Sequence, residues 1–195
     1  VYTPSNITGN KEVMEKLEEI KMKVEENNND NYLALIKGFY DNVENTYAWF
    51  SDNVGAKWCY HDDFWVDIEG DCAEIMTTSA WYPPLGFVQH IYDICSELDS
   101  DCEIDGDYEN EATTPIGGFV VNKKGFFDEE YDGELEYPDE DDYEIPEGEY
   151  HSVEYDDAME TFYERVSELR GEMKSLAHEK LNFHEETVPS TTETK

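Results

Sequence analysis

Every odd-numbered residue from Glu97 to Glu111 is a carboxylate: Glu97, Asp99, Asp101, Glu103, Asp105, Asp107, Glu109 and Glu111. An extended strand puts alternate side chains on one face, so this spacing predicts a row of negative charges about 6.6 to 6.8 Å apart. Cys102, Ile104, Gly106 and Tyr108 would face the other way. The chemistry of such a row is electrostatic. It repels phosphate, and it can also imitate phosphate. A second concentration of acid, 13 carboxylates in the 22 residues from Asp128 to Glu149, reinforces the first. The candidate protein-binding residues are accordingly Asp99, Asp101, Glu103, Asp105, Asp107, Glu109 and Glu111 in the first group. Asp128, Glu129, Glu130, Asp139, Glu140, Asp141 and Asp142 make up the second.

Other chemistries fit the sequence less well. Asp101-x-Glu103-x-Asp105-Gly106 begins like a calcium loop, but the bidentate glutamate needed at position twelve is replaced by Ala112. His61 lies beside Asp62 and Asp63, and His90 falls on a helical stretch, yet no nucleophile, base and orienting group can be assembled around either. With 49 acidic residues, paired carboxylates arise by chance and single out no acid and base. Thr8-Gly9-Asn10 and Gly117-Gly118 lack the further glycines and the lysine of a phosphate loop. Cys59, Cys72, Cys95 and Cys102 contain no C-x-x-C pair and read as small buried thiols, three of them (Cys59, Cys72 and Cys102) within strands, in a reducing cytoplasm. No catalytic, metal-binding or cofactor-binding residue is therefore assigned, and the expectation is a protein that is not an enzyme.

The balance of charge narrows the partners. Against 49 Asp and Glu stand 13 Lys and Arg, a formal net charge of -36 in 195 residues. Binding to nucleic acid depends on cations that neutralise phosphates, and binding to an anionic membrane on basic segments, so both are disfavoured. Basic proteins, above all those whose grooves hold nucleic acid, are the expected partners. A hydrophobic fraction of 38% and an aromatic fraction of 14% supply the apolar surface that a disordered acidic tail lacks. No apolar run approaches the 18 to 20 residues of a membrane span, and no secretory signal or polybasic anchor is seen.

The elements that must position these groups follow from periodicity. Val1 to Thr8 reads as an extended segment, and Val13, Leu17, Ile20 and Val24 give an amphipathic helix over 11–26, stopped by Asn27-Asn28-Asn29-Asp30-Asn31. A second helix is expected over 32–49. Aromatic and β-branched residues predict strands over 57–68 and 72–81, joined as a hairpin through Gly70-Asp71. Pro83-Pro84 ends the second strand and opens a helix running to about Leu98, with Leu85, Val88, Ile91, Tyr92 and Cys95 as its buried stripe. The carboxylate-alternating strand comes next, followed by a strand over 117–121. The order is βαββαβ, a ferredoxin-like arrangement with helices on one face of the sheet. Residues 1–125 form this α+β domain, with a helical insertion near 27–50. Residues 126–155 form an acidic, aromatic-punctuated segment of partial order. A long amphipathic helix over 156–183 carries Met159, Phe162, Val166, Leu169, Met173, Leu176 and Leu181 at helical spacing, and 184–195 is expected as a flexible tail. That helix either packs across the open sheet face or pairs with its twin, so the chain is a monomer or a homodimer.

Two local motifs point to a family. Asn53-Val54-Gly55-Ala56-Lys57-Trp58, followed by Thr78-Ser79-Ala80-Trp81-Tyr82-Pro83-Pro84, resembles the paired signature of the ferredoxin-like domain in Api92-like proteins of phages, plasmids and bacteria. In that family the first motif is closer to W-G-T-K-W-D and the second to T-A-W-S-P-P. This chain departs at Val54, Ala56, Cys59 and Tyr82. Asn6-Ile7-Thr8-Gly9 is similar to the family's first strand and turn, and the resemblance covers about residues 1–125. It implies the fold and a phage or mobile-element origin, hence the host cytoplasm, and carries no catalytic assignment. The leading functional expectation is a non-enzymatic acidic binding protein, a phage DNA mimic that inhibits a host protein by occupying its basic nucleic-acid-binding groove. A phage structural or assembly protein whose acidity serves solubility is the alternative, and a metal-dependent hydrolase the second.

Overall fold

A computed structural model describes residues 1–26, 33–110, 115–144 and 152–187, with the backbone alone for 184–187. Ile145, Tyr150, Glu111, the asparagine run and the expected tail from 188 onward lie outside the described residues. The first strand, β1, spans Tyr2–Thr8, and its alternation buries Thr3, Ser5 and Ile7. Helix α1 (Lys11–Glu26) has the expected bounds, and Val13, Leu17, Ile20 and Val24 are all buried. The single helix expected over 32–49 is two short ones, α2 (Leu33–Phe39) and α3 (Tyr47–Asn53). The break falls where Asp41, Asn42 and Asn45 compete for backbone hydrogen bonds, and Thr46 restarts the helix by accepting from the Trp49 N–H at 3.2 Å.

Strands β2 (Cys59–Val66) and β3 (Cys72–Ser79) form the expected hairpin, with a bulge between His61 and Asp63. Helix α4 (Leu85–Ser96) buries Phe87, Val88, Ile91 and Cys95. The carboxylate-alternating strand is shorter than its sequence pattern: β4 covers Glu103–Glu109. Residues 97–102 instead form the turn that reverses the chain after α4, so Cys102 precedes the strand rather than lying in it. Strand β5 (Ile116–Asn122) follows, and a two-residue turn at Lys123-Lys124 leads into β6 (Gly125–Glu130), a strand at the start of the segment expected to be only partly ordered. Gly125 takes φ 140°, a conformation open to glycine, to begin it.

Among the described residues the strands make one antiparallel sheet of six, ordered β2-β3-β1-β4-β5-β6. The main core joins one sheet face to α1, α2, α3 and α4. A 35-residue helix, α5 (Val153–Thr187), begins earlier than expected and takes in 184–187, which had read as tail. It lies on the opposite face across β4, β5 and β6, so the fold is a mixed α+β protein whose acidic C-terminal region docks on its own sheet. Ile116 packs with Phe162, Val166 and Leu169, and Val120 with Ala177 and Leu181. Each such Ile, Leu, Val or Phe side chain contributes about 1.5–3 kcal/mol when fully buried. The described residues hold no helix long and apolar enough to cross a membrane.

Candidate functional site

The alternation in β4 puts Ile104, Gly106 and Tyr108 into the main core and Glu103, Asp105, Asp107 and Glu109 on the face below α5. These four carboxylates are only partly exposed, and α5 answers them with Arg170, Lys174 and the imidazole of His178. Arg170 donates from Nε to Asp107 at 2.5 Å and from Nη1 to Glu109 at 2.9 Å. Lys174 lies 2.8 Å from one oxygen of Asp105, and the His178 ring nitrogen 3.2 Å from the other. Asn122 donates to Glu103 at 2.7 Å.

The register has a simple origin. Four residues of helix rise about 6 Å and two residues of strand about 6.8 Å, so Arg170 and Lys174 meet the alternate positions Asp107 and Asp105, and His178 shares Asp105. Outside this register, the exposed Lys180 pairs with Glu129 on β6. The glycines of β5 allow the close approach. A Cβ on Gly118 would run into the backbone of Lys174, and one on Gly117 into the ring of Tyr108. Gly117-Gly118 is thus a packing device for the helix above and the ring below.

The remaining expected site residues divide between structural partners and open surface. Asp99 accepts from the Asn10 N–H at 2.7 Å and the Asp101 N–H at 3.0 Å, fixing the turn before β4. Asp101 is paired with Lys123 at 2.6 Å, and that ammonium lowers its carboxyl below the ordinary value. Asp128 accepts the Tyr108 hydroxyl at 2.9 Å. Crowding out of water raises the Asp128 carboxyl, with Glu130 and Glu129 adding to the rise and the Tyr108 hydrogen bond opposing it. Glu130 is exposed. So are Asp139, Glu140, Asp141 and Asp142, where a short 3₁₀ turn is capped by the Asp139 carboxylate.

Open acid therefore lies elsewhere than on β4. The outer side of α5 carries Asp157, Glu160, Glu164, Glu168, Glu172 and Glu179, all exposed, with Arg165 bridging Glu168 and Glu172. Residues 131–144 run beside its first half: Tyr131 and Leu135 pack on the Ile116, Phe162 and Val166 cluster, and the Tyr137 ring is 5.1 Å from that of Phe162. Tyr143 meets Tyr155 at 5.6 Å. These anchors hold the segment that carries the exposed Asp132, Glu134, Glu136 and the acids of 139–142 along the N-terminal half of α5.

The sequence reading had not paired the cations of α5 with β4. Their signal was present in the spacing of Arg170 and Lys174, which matches the alternate acids Asp107 and Asp105 in an antiparallel strand. Glu103, Asp105 and His178 also offer ligand atoms within 4.8 Å of one another, a donor set suited to a divalent transition metal. Lys174 and Asn122 already satisfy those carboxylates, so the cluster is also complete as an ion-pair and hydrogen-bond network.

At the other end of the sheet, Thr46, Tyr47, Phe50, Lys57, Trp58 and Tyr60 line a cleft of about 430 Å³. Trp58 and Tyr60 stack at 5.5 Å and 15°. Beside them the exposed Trp81, held at φ 75°, carries the Lys57 ammonium 4.5 Å from its ring centroid. Compared with known proteins, the chain matches no family model, no curated protein and no solved structure.

Proposed function

We propose that this chain is a non-enzymatic acidic binding protein that occupies the basic nucleic-acid-binding groove of a partner protein, as a mimic of DNA. The observation that carries the reading is the sorting of charge on α5. Arg170 and Lys174 turn inward to the sheet, while Asp157, Glu160, Glu164, Glu168, Glu172 and Glu179 face solvent. Glu164, Glu168 and Glu172 follow one another at about 6 Å of rise. Duplex DNA presents one charge per about 1.7 Å of axis, so a single helical row is too sparse and the neighbouring segment must add to it. We read the two together as one acidic ridge. The β4 row, expected from its alternation to be the mimicking surface, serves in this reading to hold the helix that displays the ridge.

The fold supports the same reading. β1, α1, α2, α3, β2, β3, α4 and β4 succeed one another with strand order β2-β3-β1-β4, an order that supports reading the first four strands as a ferredoxin-like split arrangement with two inserted helices. Taken with the resemblance to Api92-like proteins, it makes a phage or mobile-element protein acting in the host cytoplasm the natural setting. The test is capture of host proteins at physiological salt with wild type and with a ridge variant, E164Q/E168Q/D139N/D141N/D142N, whose fold is checked by circular dichroism. Loss of one nucleic-acid-binding protein from the variant alone is expected. Identical partners for both, or stable self-association with no partner, would turn the reading toward an assembly role.

A further inference from the structure

We infer that the aromatic cleft at the β2 edge is a guanidinium-binding site that seats an arginine of the basic partner; this rests on the acidic-binding reading above and assigns its contact point. Exposed tryptophan is the first observation. Trp81 is 60% exposed and Tyr47 59%, although the chain has a large core in which to bury them. Their presentation is fixed. Thr46 caps the helix that carries Tyr47, Ser79 Oγ donates to the Tyr82 carbonyl at 2.7 Å, and the Ala80 N–H donates to the Trp58 carbonyl at 3.1 Å. Trp81 lies in the left-handed region, which disfavours a bulky residue and persists where the surroundings enforce it. Rings held in this way, stiff and accessible, are the anchors from which protein interfaces draw most of their affinity.

The choice of occupant comes from charge. The ring of Trp81 already attracts a cation, the Lys57 ammonium at 4.5 Å. Lys57 has no carboxylate partner among the described residues, so this ring is its one described electrostatic contact. The flat Trp58–Tyr60 pair beside it offers a second electron-rich face, and planar guanidinium stacks on such faces better than ammonium does. Glu44 and Asp52 flank the cleft residues in sequence, Asp62 lies two residues beyond Tyr60, and all three are exposed. A net charge of -36 draws basic chains toward the whole surface. The acidic ridge would then supply long-range attraction and the cleft a short-range, salt-resistant contact.

The experiment is titration of the full chain with octa-arginine and octa-lysine peptides at about 0.5 M NaCl, where attraction between exposed charges is largely screened. Tryptophan fluorescence and calorimetry provide the readouts. Wild type is expected to retain octa-arginine binding and to prefer it over octa-lysine, while Trp81→Ala and Tyr47→Ser each weaken it by about tenfold. Both side chains are exposed, and Tyr47→Ser leaves the main core untouched should Trp81→Ala disturb its loop. Lys57→Met, which frees the Trp81 face, is expected to tighten binding more than Lys11→Met, which makes the same charge change on α1. Equal affinity of wild type and both aromatic variants, or equal gains from the two lysine variants, overturns the site. Absence of any high-salt binding overturns it too. The acidic reading stands or falls separately, on the ridge variant at physiological salt.

Discussion

Arg170 and Asp107 lie 63 residues apart in sequence and are joined by a 2.5 Å hydrogen bond that fixes the long C-terminal helix to the fourth strand. The same guanidinium reaches Glu109, so one side chain neutralises two carboxylates in a crevice where its own exposure is 22%. The raised carboxylate density of β4 is stable there because the helix brings the opposite charge with it.

Removing that cation leaves two neighbouring carboxylates of β4 unpaired beneath α5. Breaking a buried pair from one side costs about 3–5 kcal/mol, and partial exposure here sets the expectation for Arg170→Met at about 2–3 kcal/mol. Urea unfolding measures it. Adding Asp107→Asn and Glu109→Gln to the same chain is expected to recover much of the loss, since no unpaired charge then remains. A triple variant no more stable than R170M would contradict this account.

The seat of α5 on β5 depends on the absence of a side chain at Gly118. Gly118→Ala places a methyl group against the Lys174 backbone, which cannot move aside as a flexible side chain would. Overpacking of this sort costs about 1–3 kcal/mol. The helix is expected to lift, so limited proteolysis should cut α5 in the variant well before it cuts wild type, while β1 to β3 stay protected. Uniform protection in both proteins would show that the helix accommodates the methyl group.

Asp128 gives a pH signature with a definite sign. Its carboxyl is raised in the folded protein, so the ionised form is disfavoured there and stability rises as pH falls through the raised value, levelling off below the ordinary carboxylate value. Asp128→Asn keeps an acceptor for the Tyr108 hydroxyl and removes the penalty. The variant is expected to melt higher than wild type at neutral pH and to converge with it in acid. Thermal melts across that range decide the point, and a lower Tm for D128N at neutral pH would reverse it.

The four thiols should separate by burial. Cys59, Cys95 and Cys102 are buried and Cys72 is half-buried. Loss of water pushes the Cys59 thiol up to about 12, leaving almost no thiolate at neutral pH. A thiol reagent is expected to label Cys72 first in the native protein, with the others following only on unfolding. Mass spectrometry of brief labelling reads the order directly, and early modification of Cys59 would contradict the packing described.

Elements with a single clean period were legible in the sequence. Val13, Leu17, Ile20 and Val24 set α1 to the residue, and Gly70-Asp71 marked the β2–β3 hairpin. Strand β6 was hidden because Phe126 and Phe127 are adjacent rather than alternating, so one ring serves each face of the sheet. The split between α2 and α3 came from polar side chains in an otherwise helical stretch. The acidic row was visible as a row, but its direction was not. Alternation says which residues share a face, and only the docking of a distant helix says whether that face meets water.

The pairing of β4 with α5 also sets an order of events. A chain made from its N-terminus delivers the acids at 103, 105, 107 and 109 long before the cations at 170 and 174, and no Lys or Arg lies between Gly125 and Glu164. During synthesis the fourth to sixth strands must therefore wait, charged and half-covered, for the last helix to emerge. Their assembly becomes a step that follows the emergence of α5.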